Sequence, residues 1–377
     1  MTYRETDVLI VGGGPAGLAA AIASRTQGLR VVVAEAAAPP IDKACGEGLM
    51  PDSLAALHAL GVTIPASDSF PFRGVRFLGD GASVDAGFPS GHGIGVRRTI
   101  LHQRLAARAD AAGAELMWGR RVTDLSEDRA RVGGEEVRFR WIVGADGERS
   151  RVRRWAGLDG HRRNSRRFGF RRHYRMAPWT DCMEIYWGEN RQIYVTPIGA
   201  GEICVALISR DAHLRLDEAL AGFPALVRRL LRAEPSTADR GAVSASRRLH
   251  RVAKGRAALI GDASGSVDAI TGEGLCLAFR QAAPLARSLA AGDLRPYERE
   301  HRELMRRPAL MASLMLSLDR YPKMRGAVLP ALASRPILFS KLLAMHVGEL
   351  PAMDFLLQAA LPLGWGLLSV RRAVEES

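Results

Sequence analysis

The chain has 377 residues, 47% of them hydrophobic and 25% charged, an ordinary balance for a globular protein with room for more than one lobe. Its formal net charge of +13 comes almost entirely from Arg, but no nucleic-acid-binding motif accompanies the charge, so it reads as an Arg-rich surface and nucleic acid is not expected as a partner. The four cysteines, Cys45, Cys182, Cys204 and Cys276, form no C-x-x-C pair. That argues against a zinc site and for reduced thiols in a cytosol, so no metal site is expected.

Residues 7–35 organise the rest. Residues 1–6 lead directly into an apolar run at 8–11, so no signal peptide is expected and a buried parallel strand is. Gly12, Gly14 and Gly17 follow in G-x-G-x-x-G spacing, with Pro15 and Ala16 in the turn, and an Ala-rich helix runs over 18–27. A second strand at 30–34 ends at Glu35, beside Ala36. Gly12 allows a tight turn out of the strand, Gly14 lets backbone N–H groups approach a pyrophosphate, and Gly17 lets helix and strand pack closely. The helix start offers unpaired N–H groups to phosphate, and Glu35 can accept a hydrogen bond from an adenosine ribose.

Next come CGEGL at 45–49 and a helix at 51–60. Cys45 lies on a loop between Gly-flanked positions, where a small thiol allows close approach by a ligand; a buried packing role is equally compatible with the chemistry. Residues 70–88 read as two short strands around a Gly79-Asp80-Gly81 turn. At 95–105 a strand end passes into a helix with Leu101 and Leu105 on one face and Arg97 and Arg98 at the junction. Further strands are expected at 114–122 and 130–138.

A buried strand at 141–143 ends in Gly144-Ala145-Asp146-Gly147, and Ser150 opens a helix. That places an acid and two glycines at the carboxyl end of a strand, where open α/β sheets bind ligands. Arginines are dense over 149–175 and read mostly as solvated surface. Residues 183–208 alternate as β structure carrying Tyr186, Trp187 and Tyr194, either a wall for a flat ligand or packing between sheet and helix. At 257–260 another strand leads into Gly261-Asp262-Ala263, then Asp268 and TGEGL at 271–275, opening a helix that Pro284 should kink or restart. Beyond Pro296 the chain is helical, rich in Leu and Met, with prolines as breaks; 355–370 is apolar but interrupted by Pro362, Gly364 and Gly366.

Three separated signals, GGGPAG with Glu35, GADG at 144–147 and GDASG at 261–265, together resemble the FAD-dependent oxidoreductases of the para-hydroxybenzoate hydroxylase fold. The resemblance covers about residues 7–291. It implies an α/β chain, α+β overall, with a Rossmann-like FAD-binding lobe, a β-sheet substrate lobe and a helical C-terminal region. It assigns the ADP part of FAD to Gly12, Gly14, Pro15, Ala16, Gly17, Glu35 and Ala36, and the ribityl chain to Asp262 beside Gly261. Arg98, Val122 and Asp146 are implied near the cofactor, with Gly272, Gly274 and Leu275 at a helix start suited to the charge of a reduced ring. CGEGL and TGEGL resemble the geranylgeranyl reductase family, in which the first motif's Cys faces the flavin; Cys45 with Gly46 takes that place. That family's Y-x-W-x-F-P strand matches IYVTPIG at 193–199, where Tyr194 takes the Trp place, Thr196 the Phe place, and Pro197 remains.

The implied lobes are discontinuous: 1–70, 95–155 and 252–295 for FAD, 71–94 and 156–251 for substrate, and 296–377 as covering helices. The first functional expectation is reduction of C=C bonds in a bulky hydrophobic substrate, isoprenoid-like or polyketide-like. Cys45 would be the residue at the reacting centre, and Tyr186, Trp187, Tyr194 and Pro197 the wall. A monooxygenase hydroxylating an aromatic or polyketide ring is the second, with His92, His173 and Tyr194 as candidate bases. A non-catalytic basic membrane- or nucleic-acid-binding protein is the third, supported by charge alone. Only one dinucleotide fingerprint is present and FAD takes it, so NAD(P)H must dock transiently or a partner protein must donate electrons. The expected location is cytoplasmic with peripheral membrane contact.

Overall fold

Apolar runs with few polar interruptions make the first sheet. The structure is a computed structural model that describes residues 3–355. The strands run in the order Ala253–Lys254, Ala257–Leu259, Glu135–Gly144, Arg4–Val11, Val31–Glu35 and Glu115–Trp118. From Ala257–Leu259 to Glu115–Trp118 every pairing is parallel. Val8, Leu9 and Ile10 are fully buried, as a parallel strand covered on both faces requires. The register makes Ala34, Val11, Gly144 and Leu259 a level row. The three glycine-acid motifs therefore emerge side by side from the carboxyl ends of adjacent strands.

The first helix, Pro15–Thr26, begins earlier than the apolar pattern suggested. Proline suits that first position because its missing N–H has no intrahelical partner there. The helix Gly274–Ala291 packs beside it, joined by Leu18, Ile22, Phe279 and Leu285 in one core. The helix does not restart at Pro284: it runs through it, with Pro284 buried beside Ala282, Leu285 and Ala286. Further along, Pro322 and Pro336 start helices while Pro308 and Pro330 lie inside them.

The second sheet runs Glu234–Pro235, His161–Arg175, Glu202–Ser209, Arg191–Gly199, Cys182–Gly188, Gly74–Gly79 and Ala82–Gly87, with Arg240–Leu249 also pairing the long strand. The Asp80-Gly81 turn has positive φ at both residues, 51° and 75°, the hairpin geometry that matches strand twist. A small third sheet joins Gly48–Leu49, Gly93–Val96 and Ser69–Phe72. Strands of the first sheet thus come from 4–144 and 253–259, and those of the second from 74–87 and 161–249.

Alternation divides the second sheet into two faces. One carries Tyr174, Tyr186, Ile193 and Val205 and packs on the short helices Leu216–Leu220 and Pro224–Leu230. The other carries Phe77, Ile185, Trp187 and Tyr194 and is covered by the helices Arg295–Arg320, Pro322–Ser334 and Pro336–Val347 through Met315, Leu329, Phe339 and Leu343. The part of the expected helical region beyond Phe355, with the apolar stretch there, lies outside the described residues. Among those described, no single helix is long and apolar enough to cross a membrane.

Candidate functional site

A cavity of about 1270 Å³ runs from the strand ends of the first sheet to the helix-covered face of the second. Single small-molecule sites occupy roughly 300–1,000 Å³, so this cavity is larger than one such site. At the first end it is lined by Gly12, Gly14, Pro15, Ala16, Glu35, Ala36, Arg98, Val122, Asp146, Gly261 and Asp262. Cys45, Gly46, Gly272, Gly274 and Leu275 line its middle. Gly17 does not line it. A Cβ on Gly17 would lie 1.9 Å from the Gly12 carbonyl oxygen, so its work is helix–strand packing.

The lining glycines separate chain-imposed from ligand-imposed constraints. Gly12 has φ +110°, and a Cβ there would meet the Ala145 carbonyl oxygen at 2.4 Å, so the fold itself demands glycine. Gly14, Gly46 and Gly274 have no positive φ, and a Cβ on any of them would meet nothing within 4 Å. Neither conformation nor packing explains glycine at those three places. A group held against the backbone does, and the row of N–H groups at the start of Pro15–Thr26 suits a pyrophosphate. These residues fit FAD.

The acids are already engaged. Glu35 accepts hydrogen bonds from the Gly13 and Ala37 N–H groups, each 2.8 Å. Asp262 pairs with Lys43 at 3.1 Å. Asp146 accepts from Arg151 N at 2.6 Å and from Ser150 Oγ, so much of its carboxylate holds the start of the helix Arg151–Trp155. Arg98 leaves its buried Nε without a hydrogen-bond partner among the described residues, a donor available at the cofactor end, whereas Arg97 is turned to Glu202.

Three consecutive loop residues are fastened to one row of the second sheet. His173, Cys204 and Thr196 stand side by side on adjacent strands. Cys204 Sγ reaches the Cys45 carbonyl at 3.7 Å, Thr196 Oγ1 donates to the Gly46 carbonyl at 2.7 Å, and His173 Nε2 meets Glu47 Oε2 at 2.6 Å. Arg171 Nη1 lies 3.0 Å from His173 Nδ1. A guanidinium only donates, so Nδ1 accepts, and the ring carries its proton on Nε2 and donates it to Glu47. The other Glu47 oxygen accepts from Arg98 N at 2.9 Å, and its carbonyl from Val96 N at 2.9 Å. These bonds hold Glu47 at φ +59°, a conformation non-glycine residues seldom adopt. The result presents Cys45 to the cavity, with the Glu47 N–H donating to its Sγ at 3.3 Å. The donor atoms of Glu47, His173 and Cys204 lie within 4.8 Å of one another, close enough for a metal ion, but the short Glu47–His173 bond already satisfies two of them.

Glu47 was not singled out from the sequence, although a charged residue between Gly46 and Gly48 was the available signal. The arginine-dense stretch also differs from expectation. Arg153, Arg167 and Arg171 are buried, at 2%, 1% and 2% exposure, rather than solvated. Strand alternation turns Arg167 and Arg171 to the cavity face. Arg167 bonds Asp319 Oδ2 at 2.8 Å and Asp268 at 3.4 Å, tying the helix Arg295–Arg320 to the sheet.

Of the expected substrate wall, Tyr194 lines the cavity but Tyr186, Trp187 and Pro197 do not. Tyr186 alternates to the opposite face and donates to Glu184 at 2.7 Å. Trp187 shares the face of Met183 and Ile185 but is packed under the helices against Phe77. Pro197 sits with its carbonyl against Gly95. The chamber is lined mostly by aliphatic and thioether side chains, Met183, Ile185, Ala206, Ile208, Met311, Met315, Leu318 and Leu342, with Phe77 and Phe339 beside them. Among the candidate bases, His92 is exposed and away from the cavity. Tyr194 donates its hydroxyl to the Ile270 carbonyl at 2.6 Å, and burial pushes its phenol up, which suits it poorly to be a base.

TGEGL places one more buried pair. Glu273, at the start of Gly274–Ala291, has Arg307 Nη2 at 3.7 Å and His346 Nδ1 at 4.0 Å, and neither of its oxygens has a well-formed hydrogen bond among the described residues. Burial, outweighing the nearby arginines, pushes its carboxyl up to about 8, and burial lowers His346 to about 4. Burial favours the neutral form of both, and His346 lines the cavity.

Motifs, cradle and cavity together define an FAD-dependent oxidoreductase. The chain matches the family described as "FAD binding domain" over residues 5–293 and belongs to it. It is 30% identical over 358 residues to the menaquinone reductase of Mycolicibacterium smegmatis, covering 86% of this chain and 88% of that one. Its fold is shared with the flavin-dependent brominase Bmp2, at TM-score 0.79 and 21% identity, covering 92% of this chain and 94% of that one. It is also shared with a geranylgeranyl bacteriochlorophyll reductase-like protein of Thermoplasma acidophilum, at TM-score 0.70 and 22% identity over 84% and 88% of the two chains. The fold is thus of para-hydroxybenzoate hydroxylase type, as the three motifs implied.

Proposed function

We propose that this oxidoreductase reduces a C=C bond in a bulky, mostly apolar molecule, drawing electrons from NAD(P)H or from a partner protein. One observation carries the reading: the cavity continues from the FAD cradle into a chamber lined by Met and Leu, with the Cys45 loop at the junction. The resemblance to a menaquinone reductase over most of both chains supports an isoprenoid-bearing substrate with a polar head. Reduced FAD supplies the hydride equivalent in such a reaction. The chain supplies the rest. Cys45 holds a proton at Sγ for the second carbon, Glu47, His173 and Thr196 fix the loop that aims it, and the apolar chamber excludes water.

The test is single turnover of dithionite-reduced protein without oxygen, against a polyprenyl quinone and a phenol. After the head group has been reoxidised to the quinone, a product still two hydrogens heavier, with the gain in the polyprenyl chain, supports the reading. Turnover of the phenol alone, only after oxygen is admitted and with one oxygen atom gained, replaces it with hydroxylation.

A further inference from the structure

Nine large apolar side chains are exposed among the described residues, and six of them follow Arg295: Leu310, Leu314, Met324 and Ile337 lie on the helices that cover the second sheet, Tyr321 lies between two of those helices, and Met353 lies on the short helix Ala352–Phe355. They are not scattered singly as on an ordinary surface. Leu314 and Met324 are 42% and 37% exposed and also line the cavity, so the apolar surface is continuous with it.

Along the helices at the bend the charge has one sign. From Arg320 to Gly348 the chain contains no Asp or Glu, and its Arg and Lys residues are Arg320, Lys323, Arg325, Arg335 and Lys341. Arg325 is directed inward to Asp80 at 2.7 Å. Among the described residues the other four have no ion-pair partner, and three of them are exposed. The helices Pro322–Ser334 and Pro336–Val347 meet at a 106° bend, with Ile337 at the bend 63% exposed. Their inner faces are committed to the sheet through Leu329, Leu332, Phe339 and Leu343. A bent pair anchored in that way lies along a surface and does not cross it. Apolar residues ringed by unpaired cations are the pattern of helices that seat in the interface of an anionic membrane.

We propose that this bend and the end of the preceding helix dock on an anionic lipid bilayer, with the cavity mouth facing the lipid, so that an apolar substrate enters without crossing water. The docking does not depend on which reaction the site performs.

The test is flotation of the full-length, FAD-loaded protein with vesicles of pure phosphatidylcholine and with vesicles containing phosphatidylglycerol. Binding to the anionic vesicles only, weakened by salt, is expected. Lys323→Glu with Arg320→Glu should lower it at least roughly tenfold, and Ile337→Asp should lower it with salt dependence retained. None of these three residues lines the cavity, so retained flavin and an unchanged Tm show that the variants are folded. Equal binding to both vesicle types, or undiminished binding by the charge-reversed variant, overturns the proposal. Self-association without lipid that Ile337→Asp abolishes also overturns it, in favour of a second copy on this face.

Discussion

The two ends of the cavity are built in different ways. At the FAD end the backbone does the work: strand ends set level by parallel register, a helix start, and glycines whose missing side chains leave space that no protein atom fills. At the chamber end side chains do it: a row of His173, Cys204 and Thr196, an aliphatic wall, and covering helices fastened by Arg167 and Arg325. Backbone recognition depends on residues close together in the chain. Side-chain recognition depends on partners more than a hundred residues apart. One end can therefore serve many chemistries, while the other decides which.

The sharpest way to break that contrast is at the glycines. Gly14→Val should remove FAD binding, at least roughly a hundredfold in affinity, because the side chain fills the pyrophosphate space, its Cβ meeting no protein atom within 4 Å. Thermal unfolding of the FAD-free variant should match that of the FAD-free wild type. Gly17→Val, three residues on, should fail to fold, because its Cβ meets the Gly12 carbonyl oxygen at 1.9 Å. Flavin absorbance after gel filtration and circular dichroism tell the two apart. If both variants merely unfold, the FAD end is packed like the chamber, with side chains rather than backbone filling it.

The next effect lies at the junction. Cys45→Ser and Cys45→Ala should retain FAD and stability, since Cys45 is only partly buried, while losing most C=C reduction, a tenfold effect or more. The loss should fall in the substrate half-reaction, with flavin reduction by the electron donor intact. Normal turnover by Cys45→Ser would leave the thiol as a packing group and weaken the reductase reading.

These two tests follow what the sequence made legible. Gly12, Gly14, Glu35, Asp262 and Cys45 were readable because each sits in a short motif whose chemistry is local. The strand-to-strand course of the chain was readable from apolar runs. Tyr186 is misplaced because alternation alone does not say which face of a two-sided sheet meets the cavity, and here both faces are buried; Trp187 is on the cavity face, but packing against Phe77 under the covering helices, which alternation does not show, keeps it out of the cavity. Arg167 and Arg171 were read as surface because their partners Asp319 and Asp42 are remote in sequence. Glu47 gains its meaning from the Arg98 N–H, 51 residues away, and from His173, 126 residues away.

Glu47 supplies a smaller effect that sharpens the comparison. Gln has one acceptor oxygen where Glu47 uses two, so Glu47→Gln leaves either Arg98 N or His173 Nε2 without a partner in a buried site. A loss of roughly 1–3 kcal/mol in unfolding free energy is expected. Denaturant unfolding reads it, and Thr196→Val, which removes a single bond to the same loop, should cost about 1 kcal/mol or slightly more. Little loss from either variant would mean that the loop is held by packing and not by the row of side chains.

The smallest expected effect comes from Glu273, and its sign separates it from its neighbours. Burial raises its carboxyl from 4.5 to about 8, and Asp52 opposes ionisation further, while Arg307 and Arg280 favour it. The folded protein therefore holds this proton more tightly than the unfolded chain does. Its contribution is complete below about pH 4.5 and is lost as pH rises towards 8. The buried His301 and His346, both lowered from 6.5 to about 4, act in the opposite direction: their contribution is present above 6.5 and is lost as pH falls towards 4. Wild-type stability should thus decline on both flanks. Glu273→Gln keeps the neutral shape and removes only the alkaline decline, so at pH 8.5 it should be more stable than wild type by on the order of 1–2 kcal/mol, with the acid limb unchanged. Arg307 is not orphaned by the change, since it keeps Asp52 at 2.9 Å. Thermal melts from pH 4 to 9 measure both limbs. An acid limb altered by Glu273→Gln would show that Glu273 and His346 titrate as one coupled pair. A variant less stable than wild type at pH 8.5 would show that Glu273 is charged and paired with Arg307.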